Sequence, residues 1–243
     1  MKAVDVNNLT FSYSGSPTLL HDISFTVSAG EVLVIAGLSG SGKTTLCRIL
    51  AGVIPNAADG EVHGHIQVVD IDPRTAGLPQ TALRAGYVFQ DADSQIICTT
   101  VEDELAFSLE NILLSPFEIR QRVDTLAAEF GFGGLLLADP ARLSGGQKKL
   151  LTIAAVLAAE PAVLILDEPL SCLDAEGREL VQAAIKQQRD TGRAVIIVEH
   201  DLSLVDFADK WLILRDGSIA AYGTPSGLLS KQEELLRESG VWE

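Results

Sequence analysis

The sequence predicts an α/β protein with three parts: a core built on a parallel β-sheet, an N-terminal antiparallel β layer and an inserted helical subdomain. The core is indicated by four continuous apolar runs, at residues 32–36, 163–166, 194–198 and 211–214. Apolar runs without polar alternation suit parallel strands that helices bury on both faces. Helix-length segments separate these runs, which is the arrangement of a wound α/β core.

The N-terminal third differs from the core in the residue types that separate its β-rich runs. Residues 4–11, 23–27 and 66–69 are short β-rich runs, and Gly, Ser, Pro and Asn lie between them. These residue types favour turns, each for its own conformational reason. We therefore expect an antiparallel layer beside the core.

The segment from residue 99 to residue 160 is predicted to be mainly helical. Thr99 and Glu102 have the spacing of a capping box, and an apolar stripe follows at helical intervals. The stripe comprises Val101, Leu105, Leu109, Ile112 and Leu113.

A second helix is predicted to begin at Ser115, with Pro116 in its first turn and Glu118 as the reciprocal acid of the cap. Core strands precede and follow this helical segment. We therefore predict a helical subdomain at roughly residues 91–160, within a single domain that spans residues 1–243.

Composition narrows the functional classes. The 243 residues include 33 acidic side chains and 18 Lys or Arg, so the formal net charge is −15. This charge opposes binding to a polyanion, because nucleic-acid binders need basic surface to displace condensed counterions. We expect no direct nucleic-acid partner.

The three cysteines are widely spaced and form no CxxC pair, so they predict neither a disulfide framework nor a zinc site. We expect Cys47, Cys98 and Cys172 to be small buried apolar residues.

The N-terminus has no apolar signal core, so we expect no export. The most apolar stretch, residues 153–166, is interrupted by a Glu-Pro pair and is shorter than the ~20 residues that span a bilayer. Any membrane role is expected to come from a partner.

A glycine-rich motif follows the first core run. Residues 37–44 read GLSGSGKT and precede a helical run, which is the context of a phosphate-binding P-loop. Backbone N–H groups of such a loop surround phosphates at a helix N-terminus. Lys43 is expected to reach the β- and γ-phosphates, and the Thr44 hydroxyl to bind Mg²⁺. The core is therefore predicted to be that of a P-loop NTPase, with nucleotide bound by Gly37, Leu38, Ser39, Gly40, Ser41, Gly42, Lys43, Thr44 and Thr45.

Two acids, Asp167 and Glu168, follow the core run at residues 163–166. The carboxyl ends of parallel strands are where such sheets bind ligands, so both acids should lie beside the P-loop. We predict that Asp167 holds Mg²⁺ and that Glu168 orients or deprotonates the attacking water.

A second anion-binding pattern lies at residues 143–147, which read LSGGQ and precede another helical run. A serine and two glycines at a helix start suit an anion. Upstream of a strand that ends in Asp-Glu, LSGGQ resembles the signature of ABC ATPases. The resemblance implies that Ser144, Gly145, Gly146 and Gln147 contact nucleotide.

The remaining positions resemble this family in order. Tyr13 resembles the aromatic residue on which adenine stacks, and Gln90 resembles the Q-loop glutamine, which implies catalytic and Mg²⁺ contacts. Asp174 is similar to the D-loop aspartate, which implies a nucleotide contact, and His200 is similar to the catalytic switch histidine. Singly, each has an ordinary structural interpretation, but their order around a P-loop favours the functional one. The resemblance implies an ATP-hydrolysing subunit that uses ATP and Mg²⁺.

Residues 89–111 resemble the ATPases of energy-coupling-factor transporters, which import vitamins or transition-metal ions. The resemblance implies a second ATPase subunit, identical or paralogous, and an integral membrane subunit. It also implies peripheral attachment at the cytoplasmic face of the membrane. Each ATP would lie between the P-loop of one chain and residues 144–146 of the other.

Two alternatives stay open. A cytosolic ABC ATPase outside transport would act in assembly or on nucleic acid; the negative charge disfavours nucleic acid, and the segment at residues 89–111 disfavours assembly. The acids at the start of this helical region either stabilise a helix N-terminus or form a docking surface for a basic membrane subunit. These acids are Asp91, Asp93, Glu102, Asp103 and Glu104.

Overall fold

The computed structural model describes residues 1–241, except the side chains at positions 232, 233 and 238. Trp242 and Glu243, the last residues of the predicted domain, lie outside the described residues. The strands are β1 (Lys2–Ser12), β2 (Thr18–Ser28), β3 (Val32–Ala36), β4 (Glu61–Val68), β5 (Ala85–Val88), β6 (Val163–Asp167), β7 (Ala194–Val198), β8 (Lys210–Arg215) and β9 (Ser218–Gly223). The helices are α1 (Lys43–Leu50), α2 (Val53–Asn56), α3 (Pro73–Ala76), α4 (Leu78–Ala82), α5 (Val101–Asn111), α6 (Pro116–Glu129), α7 (Gly145–Ala158), α8 (Ala175–Asp190) and α9 (Pro225–Glu238).

The core is a six-stranded sheet in the order β5-β6-β7-β3-β8-β9. The first five strands are parallel, and β9 is antiparallel to β8 at the edge. This confirms the predicted parallel core. The sequence did not identify β9, because Ser218–Gly223 has mixed polarity and is only partly buried.

A three-stranded antiparallel sheet, in the order β2-β1-β4, covers one face of the core sheet. This confirms the predicted N-terminal layer, with strands longer than the apolar runs indicated. β3 shows why the core runs lack alternation: Val32 and Val34 face the core made with the helices, while Leu33 and Ile35 face the core beneath the antiparallel sheet.

Helices α5, α6 and α7 lie between β5 and β6, as the pattern predicted. The capping box at Ser115 and Glu118 is present. The first helix start is wrong by one residue, since the cap is Thr100, whose hydroxyl accepts a hydrogen bond from the Asp103 N–H.

The predicted stripe is also wrong at its end. Leu113 is 91% exposed, because α5 ends at Asn111 and Leu113 follows it with a φ of 59°.

The cysteine prediction holds for Cys47 alone: Cys98 is half-buried and Cys172 is exposed, because both lie in loops. Among residues 1–241, no helix combines the length and apolar character needed to cross a bilayer.

Candidate functional site

The P-loop connects β3 to α1 and is shaped by glycines. Gly37 has a φ of 144°, and a Cβ there would collide with the carbonyl oxygen of Leu214 on β8. Gly42 has a φ of 101°, and a Cβ there would lie 2.5 Å from a methyl carbon of Leu20. Glycine tolerates both restrictions because it lacks a Cβ. The loop therefore lies close to the sheet and presents its backbone at the start of α1.

Lys43 begins α1, and its side chain is buried. Its ammonium donates hydrogen bonds to the carbonyl oxygens of Gly37 at 2.8 Å and Leu38 at 3.0 Å. Burial lowers the pKa of Lys43, whereas the negative charges of Glu168 and Asp167 raise it. A cation is thus held inside the loop, opposite two carboxylates.

A cavity of 470 Å³ opens beside this loop, within the usual range for small-molecule sites. It brings together residues that are far apart in the sequence, as the motifs predicted. Its walls are formed by Tyr13, Ser16, Pro17, Leu19, Ser39, Gly40, Gly42, Lys43, Thr44, Thr45, Gln90, Glu168 and His200. Ser16 and Pro17, in the turn before β2, and Leu19, on β2, were missed because they belong to no recognisable motif.

Tyr13 is fixed at the edge of this cavity. Its hydroxyl lies 3.1 Å from the Thr45 hydroxyl, and its ring packs edge-to-face on Phe11 with centroids 4.7 Å apart. These contacts hold an aromatic face beside the P-loop. The position fits the predicted role in stacking a base.

Asp167 ends β6 and is fully buried behind the cavity. Burial raises the pKa of its carboxyl group, while hydrogen bonds from Thr44 and Tyr87 lower it. The Tyr87 hydroxyl donates to Oδ2 at 3.2 Å, and Oδ1 has no hydrogen-bond partner among the described residues. Burial in turn raises the pKa of Tyr87.

These oxygens suit Mg²⁺, which prefers hard oxygen ligands and commonly takes one or two from protein and the rest from phosphates and water. Asp167 and Thr44 supply such a pair. In the part of the chain that the structure describes, no group of three or more His, Cys, Asp or Glu side chains forms a metal site. The two oxygen donors of Asp167 and Thr44 fit an ion whose other ligands are phosphate and water oxygens.

Glu168 and His200 meet across two neighbouring strand ends. His200 Nε2 lies 2.8 Å from Glu168 Oε1. Glu168 has a left-handed backbone with a φ of 50°, which is uncommon outside glycine, and its N–H donates to the Val198 carbonyl at 3.0 Å. Backbone strain of this kind is concentrated at functional sites. This position is consistent with the catalytic roles that the sequence predicts for Glu168 and His200.

The LSGGQ segment forms the start of α7 and does not line this cavity. Ser144 Oγ accepts a hydrogen bond from the Gln147 N–H at 3.2 Å, and Gln147 Oε1 accepts one from the Ser144 N–H at 3.0 Å. Ser144 and Gly145 are exposed. The capped helix start therefore presents its remaining backbone N–H groups to the surroundings.

Asp174 also lies outside the cavity. It caps α8, and its Oδ1 accepts a hydrogen bond from the Gly177 N–H at 2.8 Å. The neighbouring Cys172 carbonyl lies against Gly146, where a Cβ would be 3.3 Å from it. The predicted D-loop is thus packed beside the LSGGQ segment rather than beside the P-loop.

The acids at residues 91–104 have partners within the chain. Lys148 forms an ion pair with Asp93 at 2.5 Å, and Arg120 forms one with Glu102 at 3.0 Å. Asp103 belongs to the Thr100 cap. This supports the local structural interpretation over a docking surface made of free charges.

Glu104 does not fit the docking-surface interpretation. It is buried, and its Oε2 accepts hydrogen bonds from the N–H groups of Ile97 at 3.0 Å and Cys98 at 2.8 Å. The proximity of this carboxylate adds to the desolvation that raises the pKa of Cys98 to about 11. Glu104 therefore shapes the loop before α5.

Comparison with known proteins agrees with this geometry. The sequence model described as "ABC transporter" matches residues 20–171, which is more than half of the chain. The chain belongs to the ABC transporter family. It is 39% identical to the energy-coupling factor transporter ATP-binding protein EcfA1 of Streptococcus pneumoniae, over 95% of this chain and 83% of that protein. The corresponding protein of Lactiplantibacillus plantarum is 36% identical, over 96% of this chain and 83% of that protein.

Solved structures give the same result. The ABC family member cbiO1 from Clostridium perfringens, described as part of the ABC transporter complex cbiONQ, superposes with a TM-score of 0.81 at 32% identity. The match covers 98% of this chain and 94% of that one. A second structure, an ATP-binding subunit of an ABC transporter, has a TM-score of 0.86 at 24% identity over 97% of this chain and 98% of that one, and supports the fold alone. This ABC family chain is an ATPase of the energy-coupling-factor type, as the motifs predicted.

Proposed function

We propose that this ABC ATPase energises an importer for a vitamin or a transition-metal ion, as one of two ATPase subunits at the cytoplasmic face of a membrane subunit. One observation carries the mechanism. The cavity joins the P-loop to Glu168 and His200, whereas the exposed start of α7 lies outside it. A second chain that presents its own LSGGQ segment would complete each site.

The chain's own residues bind and orient ATP. Tyr13 stacks the adenine, the P-loop backbone surrounds the phosphates, and Lys43 leaves its loop carbonyls for the β- and γ-phosphates. Thr44, Asp167 and Gln90 are the residues that would hold Mg²⁺. Bound Mg²⁺ would neutralise charge that develops on the phosphates.

Hydrolysis depends on the positions of the reacting groups and on stabilisation of the charge that develops on the phosphates. Glu168 accepts a proton from water, and His200, held at 2.8 Å from Glu168, keeps the γ-phosphate and water in line. The partner's Ser144, Gly145 and Gly146 direct helix N–H groups at the γ-phosphate, and Asp174 and Gln147 support that contact by fixing the two adjoining helix starts. The dimer closes when ATP binds and reopens after hydrolysis, and these movements displace the surfaces of the helical subdomains.

A groove beside α5 is the proposed contact for the membrane subunit. It encloses 350 Å³ and is lined by Ile97, Cys98, Thr99, Asp103, Phe107 and Glu110. Ile97 and Phe107 are 63% and 45% exposed, which is high for large apolar side chains. The two apolar residues and the exposed Glu110 suit an amphipathic helix that carries a basic residue. The loop that carries Gln90 leads into this groove.

Purification of the tagged full chain from detergent-solubilised membranes tests this function. We expect an integral membrane protein and a second ATPase chain to co-purify, together with Mg²⁺-dependent ATP hydrolysis. Recovery of an active ATPase that is bound to no membrane protein would favour the cytosolic alternative.

A further inference from the structure

Lys149 is a buried lysine in the second turn of α7. Its side chain is only 3% exposed. Lysine is almost never buried this fully without partners, and here the ammonium donates hydrogen bonds to two main-chain carbonyl oxygens. These belong to Gln90, at 2.7 Å, and Phe89, at 3.2 Å. Helix α7 therefore holds the main chain of the loop that carries Gln90.

The same ammonium faces the acids behind the catalytic centre. Burial lowers the pKa of Lys149, while the charges of Asp167 and Glu168, and more weakly Glu199, raise it. Glu199 is itself buried at the end of β7 and accepts a hydrogen bond from the Leu170 N–H at 3.1 Å. A cation at this position offsets repulsion among three neighbouring carboxylates.

Two side chains of α7 reach the loop that follows β5, but they differ in environment. Lys148 pairs with Asp93, whose side chain is 69% exposed, so water and salt screen this interaction. The hydrogen bonds from Lys149 are partly buried, because its side chain is buried, so water and salt screen them less. Within the loop, Gln95 accepts from the Phe89 N–H and donates to the Tyr87 carbonyl, each at 2.9 Å. Gln90 thus follows a segment fixed both from inside the loop and from α7.

We propose that Lys149 is a positioning residue that fixes Gln90 in its own nucleotide site and makes the Gln90 loop move together with α7. The inference rests on the proposed function, in which Gln90 acts on nucleotide in the same chain. The first turn of α7 carries Ser144 and Gly145 into the partner's site. One buried side chain then links the two ATP sites of the dimer through a single helix.

The test is a double-mutant cycle on the full-length chain with Lys149→Met, Gln90→Ala and the combination. Lys149→Met keeps the apolar stem and removes both hydrogen bonds. We expect kcat to fall about 10- to 100-fold, as for a misplaced catalytic group. ATP affinity measured by calorimetry should stay within about twofold, because the P-loop is untouched. The double mutant should match Gln90→Ala within about threefold, because Lys149 acts through Gln90.

Two further variants separate positioning from general stability. Lys149→Arg should recover part of the activity, since it keeps the charge and the donors. Lys148→Met is the matched control on the same helix, and its kcat should stay within about twofold of wild type. If Lys149→Met does not fold by circular dichroism, Lys149→Gln replaces it in the cycle, because Gln keeps a polar group at the buried site but loses the charge and ends one bond short of the lysine ammonium.

A wild-type kcat in the Lys149 variant, or fully additive losses in the double mutant, would overturn the inference. These results are distinguishable from failure of the proposed function. An inactive wild-type chain would overturn both, whereas an active wild type with an unaffected Lys149 variant would overturn the inference alone.

Discussion

His200 Nε2 lies 2.8 Å from Glu168 Oε1, although the two residues are 32 positions apart in the sequence. They meet because β6 and β7 are adjacent parallel strands whose carboxyl ends carry the two side chains. Ligands bind at this edge in open α/β sheets. In the proposed mechanism, this pair marks the part of the cavity in which water attacks.

Replacement of Glu168 by Gln should abolish turnover and retain ATP binding. The amide keeps the shape of the side chain but cannot accept a proton from water. We expect kcat to fall at least about 100-fold, the range typical of general-base removal. ATP should then trap a dimer that gel filtration detects. Turnover near the wild-type rate would remove Glu168 from this role.

The variant Lys43→Ala should lose ATP affinity by about 10- to 100-fold, since hydrogen bonds to charged groups contribute ~1.5–3 kcal/mol. Isothermal calorimetry measures the change, and circular dichroism checks the fold. Lys186→Ala is a suitable control, because Lys186 lies on α8 over the Phe207 ring and not in the cavity. Undiminished binding by a folded Lys43→Ala protein would contradict the P-loop assignment.

Ser144→Arg should block closure of the dimer while sparing nucleotide binding by the monomer. Ser144 is exposed and outside the chain's own cavity, so a bulky cation there affects only the partner's site. If the chain forms homodimers, mixing this variant with Lys43→Ala produces mixed dimers in which one of the two composite sites is intact. Partial recovery of ATPase activity on mixing supports the shared site; full activity of Ser144→Arg alone would exclude it.

The double variant Ile97→Ser, Phe107→Ser should weaken assembly with the membrane subunit by at least about tenfold, because each exposed apolar side chain contributes ~1–3 kcal/mol when buried. ATPase activity of the isolated chain should remain within about twofold. Phe117→Ser is the matched control, since Phe117 is 77% exposed on α6 and lies outside the groove. Normal co-purification of the double variant would place the contact elsewhere.

Glu199 makes stability depend on pH. Burial raises the pKa of Glu199 from 4.5 to about 7. Between these values the folded state binds more protons than the unfolded chain, so its contribution to stability is greatest below pH 4.5 and is lost as pH rises to 7. The loss is at most about 3 kcal/mol. Urea unfolding between pH 5 and pH 8 measures it.

Glu199→Gln should flatten this decline, because the amide oxygen still accepts from the Leu170 N–H without titrating. The variant should therefore gain stability relative to wild type at pH 8 more than at pH 5. Glu179→Gln, an exposed acid on α8, is the control. Equal slopes for wild type and Glu199→Gln would show that Glu199 does not titrate in this range.

The sequence predicted correctly those elements that depend mainly on residues adjacent in the chain. The P-loop, the capping box at Ser115 and the two acids at the end of β6 were all assigned from neighbouring residues. The errors also have local causes: Thr99 and Thr100 are adjacent candidates for one cap, and only the backbone geometry selects Thr100. Leu113 fits a helical stripe, but the helix ends two residues before it.

The sequence by itself determined that the chain binds and hydrolyses a nucleotide. The motifs that predict this chemistry are recognised from the strand or helix next to them, and this local context does not depend on which other residues they contact. Only the tertiary structure decided which of them share a cavity. Sheet order brings Gln90, Glu168 and His200 to Lys43, and it leaves Ser144 outside. The tertiary structure also buries Lys149 against the Gln90 carbonyl, a contact between residues 59 positions apart. No periodicity encodes such a contact, since it depends on how α7 packs beside β5.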